Sequence, residues 1–302
     1  MKYRKAWSQL FLFASFYTAL TGCTTLYTKG PSAIVESPQI PATGSGQTEF
    51  FIRSEPSQYF RIADDVSSRP LKAKMTPDLL ASGDLTAGLN FSNHSRWQFG
   101  LSTAPAGFFG YPLLSSVSAR ALAKYQFLGD NYLDSKKPES VASIYSHLIW
   151  GQSRVSGDQN GFLGNGGYPW SASAQFTGVN LGASYGYRWS DKILGYLGLA
   201  HEEYQTSGEI HQKESVTKDY PAADYVFSPE RGQSSTVALG VILGVKNPIS
   251  FVYSFSQNQW AGFTVQQYFL SVGLSFLSFE KPSPPIQPFK SETASPPPPQ
   301  IK

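Results

Sequence analysis

Charge is scarce along this chain of 302 residues. Asp, Glu, Lys and Arg make up 15% of it, against roughly 25% in an average soluble domain. There are 24 basic and 21 acidic residues, and three of the basic ones, Lys2, Arg4 and Lys5, lie at the very start. The rest of the chain is therefore balanced. This excludes a basic surface for nucleic acid and indicates that much of the protein's surface does not face water.

Cysteine is almost absent as well, since Cys23 is the only one in the sequence. No intramolecular disulfide can form, and a single cysteine cannot build a structural zinc site. The four histidines, at positions 94, 147, 201 and 211, show no metal-ligand spacing. We therefore expect no metal and no other cofactor.

An apolar stretch long enough to cross a membrane as a helix is also missing, because about 20 residues would be needed. The most apolar segment, residues 10–20 (LFLFASFYTAL), is much shorter and follows the basic start MKYRK. This arrangement is typical of a secretory signal peptide. It predicts that residues 1–22 are a leader and not a membrane anchor.

The leader ends in Leu20, Thr21, Gly22 and Cys23, which resembles the lipobox of bacterial lipoproteins. The resemblance implies that the lipoprotein-processing machinery acylates Cys23, with palmitate for example, and makes it the first mature residue. Thr24 follows where an inner-membrane retention signal has aspartate, so the resemblance further implies a lipid-anchored protein of the cell outer membrane. The alternative is an ordinary signal peptide with an incidental cysteine.

Both ends of the mature chain are rich in proline and small polar residues. Residues 23–83 are expected to form a lipidated tether that includes at most one strand, drawn from 48–63. Residues 280–302 (KPSPPIQPFKSETASPPPPQIK from Lys281) are expected to be disordered. This tail is either simply solvated or contacts the cell wall.

Between these ends, residues 84–279 alternate with a period of two, which is the period of a β-strand. The segment 176–189 (FTGVNLGASYGYRW) has large apolar residues on one face and Gly, Ser and Asn on the other. The same division recurs in 236–246. The face predicted to be lipid-facing comprises Val179, Leu181, Tyr185, Tyr187, Trp189, Val237, Leu239, Val241 and Leu243.

The face that carries Gly, Ser and Asn distinguishes between two kinds of barrel. In a soluble, lipocalin-like surface-lipoprotein barrel it would be the exterior, which normally carries Lys and Glu. With the bulky face turned towards lipid and the small face towards a narrow wet lumen, both faces are explained. We therefore predict an all-β fold, a transmembrane antiparallel up-and-down β-barrel of 8 or 10 strands, with disordered N- and C-terminal segments.

The strand number depends on the N-terminal part of the chain. Eight strands run from Arg96 to Phe279, and a hairpin partner at 84–91 makes nine. Single-chain bacterial barrels have an even number, so either this partner lies outside the wall or residues 48–63 add a tenth strand.

The last strand contains SVGLSF, residues 271–276, which resembles the signal that outer-membrane barrels present to the barrel-assembly machinery. If this strand ends in the periplasm, tight turns face inward and the loops expected at 105–116, 153–175, 205–234 and 258–262 face outward. In the second of these, Phe162, Tyr168 and Trp170 are candidates for surface contacts.

Four residues are predicted to face the lumen: Arg120, Lys124, His147 and Arg188. They could line a narrow, anion-preferring channel. Alternatively, they plug a small barrel without conducting.

An enzymatic role is not expected. Residues 93–97 (NHSRW) resemble the Ser and His site of outer-membrane lipid A deacylases, but His94 and Ser95 are adjacent and would diverge on a strand. The function predicted first is structural or adhesive, by display of surface loops. A small solute channel is the alternative, and a lipid-modifying enzyme is a remote one.

Overall fold

A computed structural model describes most of the chain between residues 26 and 277. The described ranges are 26–29, 32–40, 47–57, 59–64, 73–77, 82–92, 96–105, 115–130, 137–159, 168–212, 223–244, 247–260 and 262–277. Cys23 with its lipobox, His94, Ser95, Phe162 and the proline-rich tail lie outside them. No helix in the described ranges is long and apolar enough to pass through a bilayer.

Thirteen strands make up the regular structure of the described ranges. They are β1 Leu26–Lys29, β2 Gln47–Ser57, β3 Tyr59–Asp64, β4 Ala73–Pro77, β5 Ser82–Ser92, β6 Trp97–Pro105, β7 Ser115–Leu128, β8 Glu139–Gln159, β9 Tyr168–Ser190, β10 Ile193–Gln212, β11 Ala223–Leu243, β12 Ile249–Trp260 and β13 Phe263–Leu277.

Ten of these strands close into a barrel, in the order β2, β5, β6, β7, β8, β9, β10, β11, β12, β13 and back to β2. Every neighbouring pair is antiparallel, and β13 closes on β2 through pairs from Gly273 with Arg53 to Leu277 with Glu49. Closure gives every strand of the wall a neighbour on both sides, as a hydrocarbon environment requires. The ten-stranded form of the prediction is confirmed.

The tenth strand, β2, comes from the expected tether. The wall therefore begins at Gln47 and not at residue 84, and residues 82–92 lie within it as β5. Between β2 and β5, strands β3 and β4 leave the wall and pair with each other, and β1 pairs with β3, so that the three form a small separate sheet.

The outer surface of the barrel is a band of large apolar side chains. All nine residues predicted to face lipid are exposed, with Leu181 59% and Leu239 61% accessible. Between them, Asn180 is fully buried and Ala238 nearly so. A soluble protein does not expose a continuous apolar belt of this kind. The fold is therefore that of a transmembrane β-barrel.

The apolar band stops at a defined level while four strands continue beyond it. On β10 the outward residues change from Leu197 and Leu199 to His201 and Glu203, and on β11 Ser235 marks the same change. Because a crossing takes about 9 to 11 residues, β8 to β11, with 20 to 23 residues each, extend well past the membrane.

The prediction of loops at 153–175 and 205–234 is wrong for most of their residues. Most of each is strand, since β8 continues to Gln159, β9 begins at Tyr168, β10 continues to Gln212 and β11 begins at Ala223. Tyr168 and Trp170 therefore belong to β9 and not to a loop. The sequence signal failed here because polar residues occur on both faces once the strands leave the lipid, so that the periodicity disappears.

The two ends of the barrel differ. At one, called the turn end, β5 ends and β6 begins, β7 ends and β8 begins, β9 ends and β10 begins, β11 ends and β12 begins, β2 begins and β13 ends. At the other, called the loop end, β6 ends and β7 begins, β8 ends and β9 begins, β10 ends and β11 begins, β12 ends and β13 begins, β2 ends and β5 begins. The extensions of β8 to β11 are at the loop end, which corresponds to the outward side of the predicted topology.

The lipid-facing assignment predicts a depth-dependent cost for a charge on β11. Leu239→Arg is expected to destabilise the folded barrel by roughly 2 to 4 kcal/mol, because an arginine near the bilayer midplane loses hydration. Ser235→Arg lies on the same outer face at the polar boundary and should cost roughly 0 to 1 kcal/mol. Urea unfolding of both variants in lipid vesicles measures the difference, and equal costs would contradict the assignment.

Candidate functional site

The barrel lumen is filled by the chain's own N-terminal part. Residues 32–40 (SAIVESPQI), called the plug from here on, have an extended backbone outside any strand. Most of its side chains are buried, including those of Ala33, Glu36 and Ile40. The expectation of a tether is therefore wrong for these residues, while the strand that the prediction allowed within 48–63 is present as β2. The plug precedes the first wall strand in the sequence and lies inside the barrel.

The plug runs antiparallel to β2, from the middle of the barrel towards the turn end. The Ser32 hydroxyl donates to the Pro56 carbonyl at 2.6 Å, near the end of β2. Four residues further along the plug, Glu36 meets Arg53. At its far end the Ile40 N–H donates to Gln126 Oε1 at 2.8 Å, close to the turn end of β7.

Glu36 is the central anchor of the plug. Arg53 donates to both of its oxygens, from Nη1 at 2.9 Å and from Nη2 at 2.6 Å. His147 Nε2 lies 3.1 Å from the same carboxylate. The Asn180 amide nitrogen lies 3.3 Å from His147 Nδ1, so Nδ1 accepts and the hydrogen sits on Nε2, which donates to Glu36. Two wall strands besides β2 thus position one carboxylate of the plug.

A second carboxylate, Glu55, ties the wall strands together beside the plug. It accepts from Arg53 Nε at 2.6 Å and from the Thr86 hydroxyl at 2.7 Å. Arg53 binds Oε1, whereas Arg120 forms a direct ion pair with Oε2, the oxygen that also accepts from Thr86. Glu55 and Arg120 are 2% and 3% exposed, so each charge depends on its partner, because burial removes the water that would otherwise solvate it.

Backbone groups of the plug are also satisfied by wall side chains. The Ala33 N–H donates to Ser234 Oγ at 3.0 Å, and Asn180 Nδ2 donates to the Ile34 carbonyl at 2.9 Å. Lys124 Nζ donates to the Gln39 carbonyl at 2.7 Å. An extended segment without a neighbouring strand would otherwise leave these groups unpaired, which is costly in a buried site. The wall is therefore built to receive this segment.

The four residues predicted to face the lumen are all buried inside the wall. Lys124 and His147 contact the plug directly, whereas Arg120 pairs with Glu55 of β2 beside it. Arg188 does not join them, because it pairs with Glu139 at 2.8 Å and donates to the Asp130 carbonyl at 3.2 Å, at the turn end. The four residues thus form two plug contacts, an ion pair within the wall and a separate ion pair at the rim, and not the lining of one passage.

The lumen is packed, although the sequence suggested a wet one. One cavity beside the plug holds about 120 Å³ and is lined by Arg53, Glu49, Asn90 and Lys124 among others. Towards the loop end, Ile149, Phe176 and Tyr204 form an apolar cluster, and Trp260 packs edge-on against Tyr204. Some large side chains therefore point inward, contrary to the simple rule of small residues inside.

Glycines on the inner face make the space that these groups occupy. A Cβ at Gly198 would overlap Val35 of the plug, and one at Gly151 would overlap the Phe176 ring. Gly182 and Gly240 receive the rings of Tyr145 and Tyr196 in the same way. These glycines therefore leave room for particular side chains of the plug and the wall, and do not line a narrow open lumen.

This fit predicts that a larger residue at Gly198 loosens the plug. Gly198→Val should cost roughly 1 to 3 kcal/mol by overpacking and should make the plug accessible to protease added to the purified barrel. Gly151→Val overpacks against the wall residue Phe176 by a similar amount and is the matched control. Equal proteolysis of the plug in both variants would argue against a specific seat for Val35.

Sequence reasoning missed the plug, although a signal was present. The wall strands from β5 onwards carry Arg120, Lys124 and His147 on the inner face with few acids to match them. The partners come from the segment before residue 58, as Glu36 and Glu55. Buried cations without partners within the predicted barrel should have pointed to that segment.

No cluster of His, Cys, Asp or Glu in the described ranges could hold a metal ion. No protein-family model and no curated protein matches the chain. Solved structures that match include OpdK of Pseudomonas aeruginosa with vanillate, at 9% identity over 77% of this chain and 99% of that one, with a TM-score of 0.15. OmpT, an outer membrane protein of Vibrio cholerae, matches at 11% identity over 78% and 100%, with a TM-score of 0.18. Scores this low carry no argument about function, and the fold is read from the chain's own topology.

Proposed function

We propose that this chain is a lipid-anchored outer-membrane protein whose barrel is closed and serves a structural or surface-display role. The observation that carries the proposal is the plug. A pore-forming protein needs a continuous aqueous path, whereas here residues 32–40 occupy the lumen and are fastened by the Glu36–Arg53 ion pair and by the hydrogen bond from His147 to Glu36. The proposal includes no catalytic role and no cofactor.

The display role is supported by the extensions of β8 to β11. Regular pairing continues from Thr206 and Gly208 of β10 to Gln212, opposite residues of β9 and β11. An ordered sheet beyond the membrane offers a firm surface for contact, and His201, Glu203 and Gln205 expose polar groups on it.

The lipid anchor is supported by the lipobox at residues 20–23. Acyl chains on Cys23 would add a second attachment to the membrane besides the barrel. On this proposal the chain is a substrate of the lipoprotein-processing machinery and of the barrel-assembly machinery. Its lasting partner is the lipid of the outer membrane. The tail at 280–302 is proposed to reach the cell wall.

Fractionation with three readouts tests the proposal. The protein should stay in the outer membrane after a carbonate wash, run faster on gels when unheated, and incorporate labelled palmitate that Cys23→Ser abolishes. Purified native barrel in planar bilayers should show no steady conductance. Release by carbonate would refute the membrane assignment, and steady conductance by the intact chain would favour the channel alternative.

A trimmed variant tests the display role separately. Replacing residues 206–230 with a two-residue turn removes the extension of the β10 and β11 hairpin but keeps its membrane-spanning part. The variant should still fold and insert, because the apolar belt and the plug site are intact, while cells carrying it should lose adhesion to surfaces that bind the native strain. Unchanged adhesion would exclude this hairpin as the displayed element.

A further inference from the structure

We infer that the N-terminal part of the chain is threaded through the barrel and leaves it at the loop end, so that an acyl group on Cys23 enters the lipid leaflet on that side. With the turn end in the periplasm, this is the outer leaflet. The lipid part of the inference rests on the proposed function; the threading rests on the described residues alone.

The first support is one continuous register. In β1, Leu26 is opposite Ile62 and Lys29 is opposite Tyr59 of β3. Ser32 of the plug meets Pro56, and Glu36 meets Arg53. Along residues 26–29 and 32–36, later positions contact earlier positions of β3 and then of β2. The plug therefore runs antiparallel to β2 inside the wall, and β1 pairs antiparallel with β3 outside it.

The second support is direction. β2 runs from the turn end, where Gln47 pairs with Ser92, to the loop end, where Ser57 pairs with Ser82. β3 follows Ser57 almost directly, so it and its partner β1 lie at the loop end. The plug ends at Gln126 near the turn end. Residues 26–40 thus connect the two ends of the barrel through its lumen.

The third support is length. Nine extended residues span at most about 30 Å, which is comparable with the thickness of a bilayer's hydrocarbon core. From Leu26 back to Cys23 is three residues, or at most about 10 Å. Since β4 lies near β13 and β1 near β8 and β9, the small sheet stays close to the barrel. Cys23 cannot return to the turn end.

A surface-labelling experiment tests the threading. Cys23 is the only cysteine and is blocked when acylated, so an introduced cysteine gives a unique signal. Thr28→Cys reports on β1, His211→Cys on the loop end and Asp191→Cys on the turn end. With a membrane-impermeant maleimide on intact cells, Thr28→Cys should be labelled to the same extent as His211→Cys, and Asp191→Cys only after the outer membrane is permeabilised.

The outcomes separate the parts of the inference. Labelling of Thr28→Cys together with Asp191→Cys would overturn the threading. If Asp191→Cys is labelled on intact cells and His211→Cys only after permeabilisation, the outer-leaflet assignment is wrong. The threading still stands in that case if Thr28→Cys is labelled under the same condition as His211→Cys. Failure of palmitate incorporation would refute the lipid anchor of the proposed function and leave the position of β1 unaffected.

A second measurement does not depend on cell-surface access. Ala33→Cys with Ser234→Cys joins two positions whose N–H and Oγ are 3.0 Å apart across the lumen, in a Cys23→Ser background. The pair should form a disulfide in the cell envelope. Ala33→Cys with Ser275→Cys, on the turn-end part of β13, is the control that should not. Absence of the first disulfide in folded barrel would contradict a threaded chain.

Discussion

Glu55→Ala is expected to destabilise the folded barrel by about 3 to 5 kcal/mol, because removing one partner of a buried ion pair leaves the other charge without compensation. Arg120 is that other charge, at 3% exposure. Arg53 keeps its two hydrogen bonds to Glu36 and is affected less. Urea unfolding of the purified barrel in lipid vesicles, followed by tryptophan fluorescence, measures the loss.

Two further variants show whether the loss comes from burial. Glu209→Ala removes a carboxylate that faces His211 with about half of both side chains exposed, and such surface pairs contribute roughly 0 to 1 kcal/mol. Glu55→Ala combined with Arg120→Ala removes both buried charges and should recover part of the loss. Equal effects of Glu55→Ala and Glu209→Ala would mean that the lumen is open to water.

Removal of the plug is expected to change a closed barrel into a conducting one. In planar bilayers the chain from Cys23 onwards should show no steady current. The same barrel without residues 23–40 should show persistent conductance, because Arg53, Lys124 and His147 then face water instead of Glu36 and the Gln39 carbonyl. Single-channel recording of both proteins measures the difference.

An intermediate variant connects this change to specific contacts. Glu36→Ala keeps the plug but removes its bonds to Arg53 and His147, and it should produce brief openings between closed periods. Ser37→Ala, which changes only a partly buried hydroxyl 3.5 Å from the Gln39 carbonyl, should stay closed. A folded barrel that remains silent without residues 23–40 would show that the wall side chains alone close the lumen.

The outer half of the structure could be predicted from local pattern. The alternation around Leu181 and Leu239 places every second side chain on one face, and the strand period alone determines which residues share that face. The opposite face carries only small residues and few charges, so it is unsuited to be the water-exposed exterior of a barrel. The bulky face was therefore assigned to lipid. The polar continuation of β10 beyond His201 escaped prediction because outside the membrane both faces tolerate polar residues.

The inner half could not be predicted in the same way. That Arg120 and Lys124 point inward follows from parity, but their partners Glu55 and Gln39 are 65 and 85 residues away in the sequence. No periodic signal connects such positions. The segment 32–40 is short, contains Pro38 and is flanked by Pro31 and Pro41, so its composition indicated a tether.

The sequence by itself determined which residues face outward in the membrane-spanning parts of β9 and β11, since side chains alternate along any strand whatever its neighbours. Only the tertiary structure decided that β2 completes the wall and that residues 32–40 occupy the lumen. Closure of the barrel brings Glu36, Arg53 and His147 together from three separate parts of the chain, and burial makes the Glu36 carboxylate depend on the Arg53 charge and on the hydrogen bond from His147.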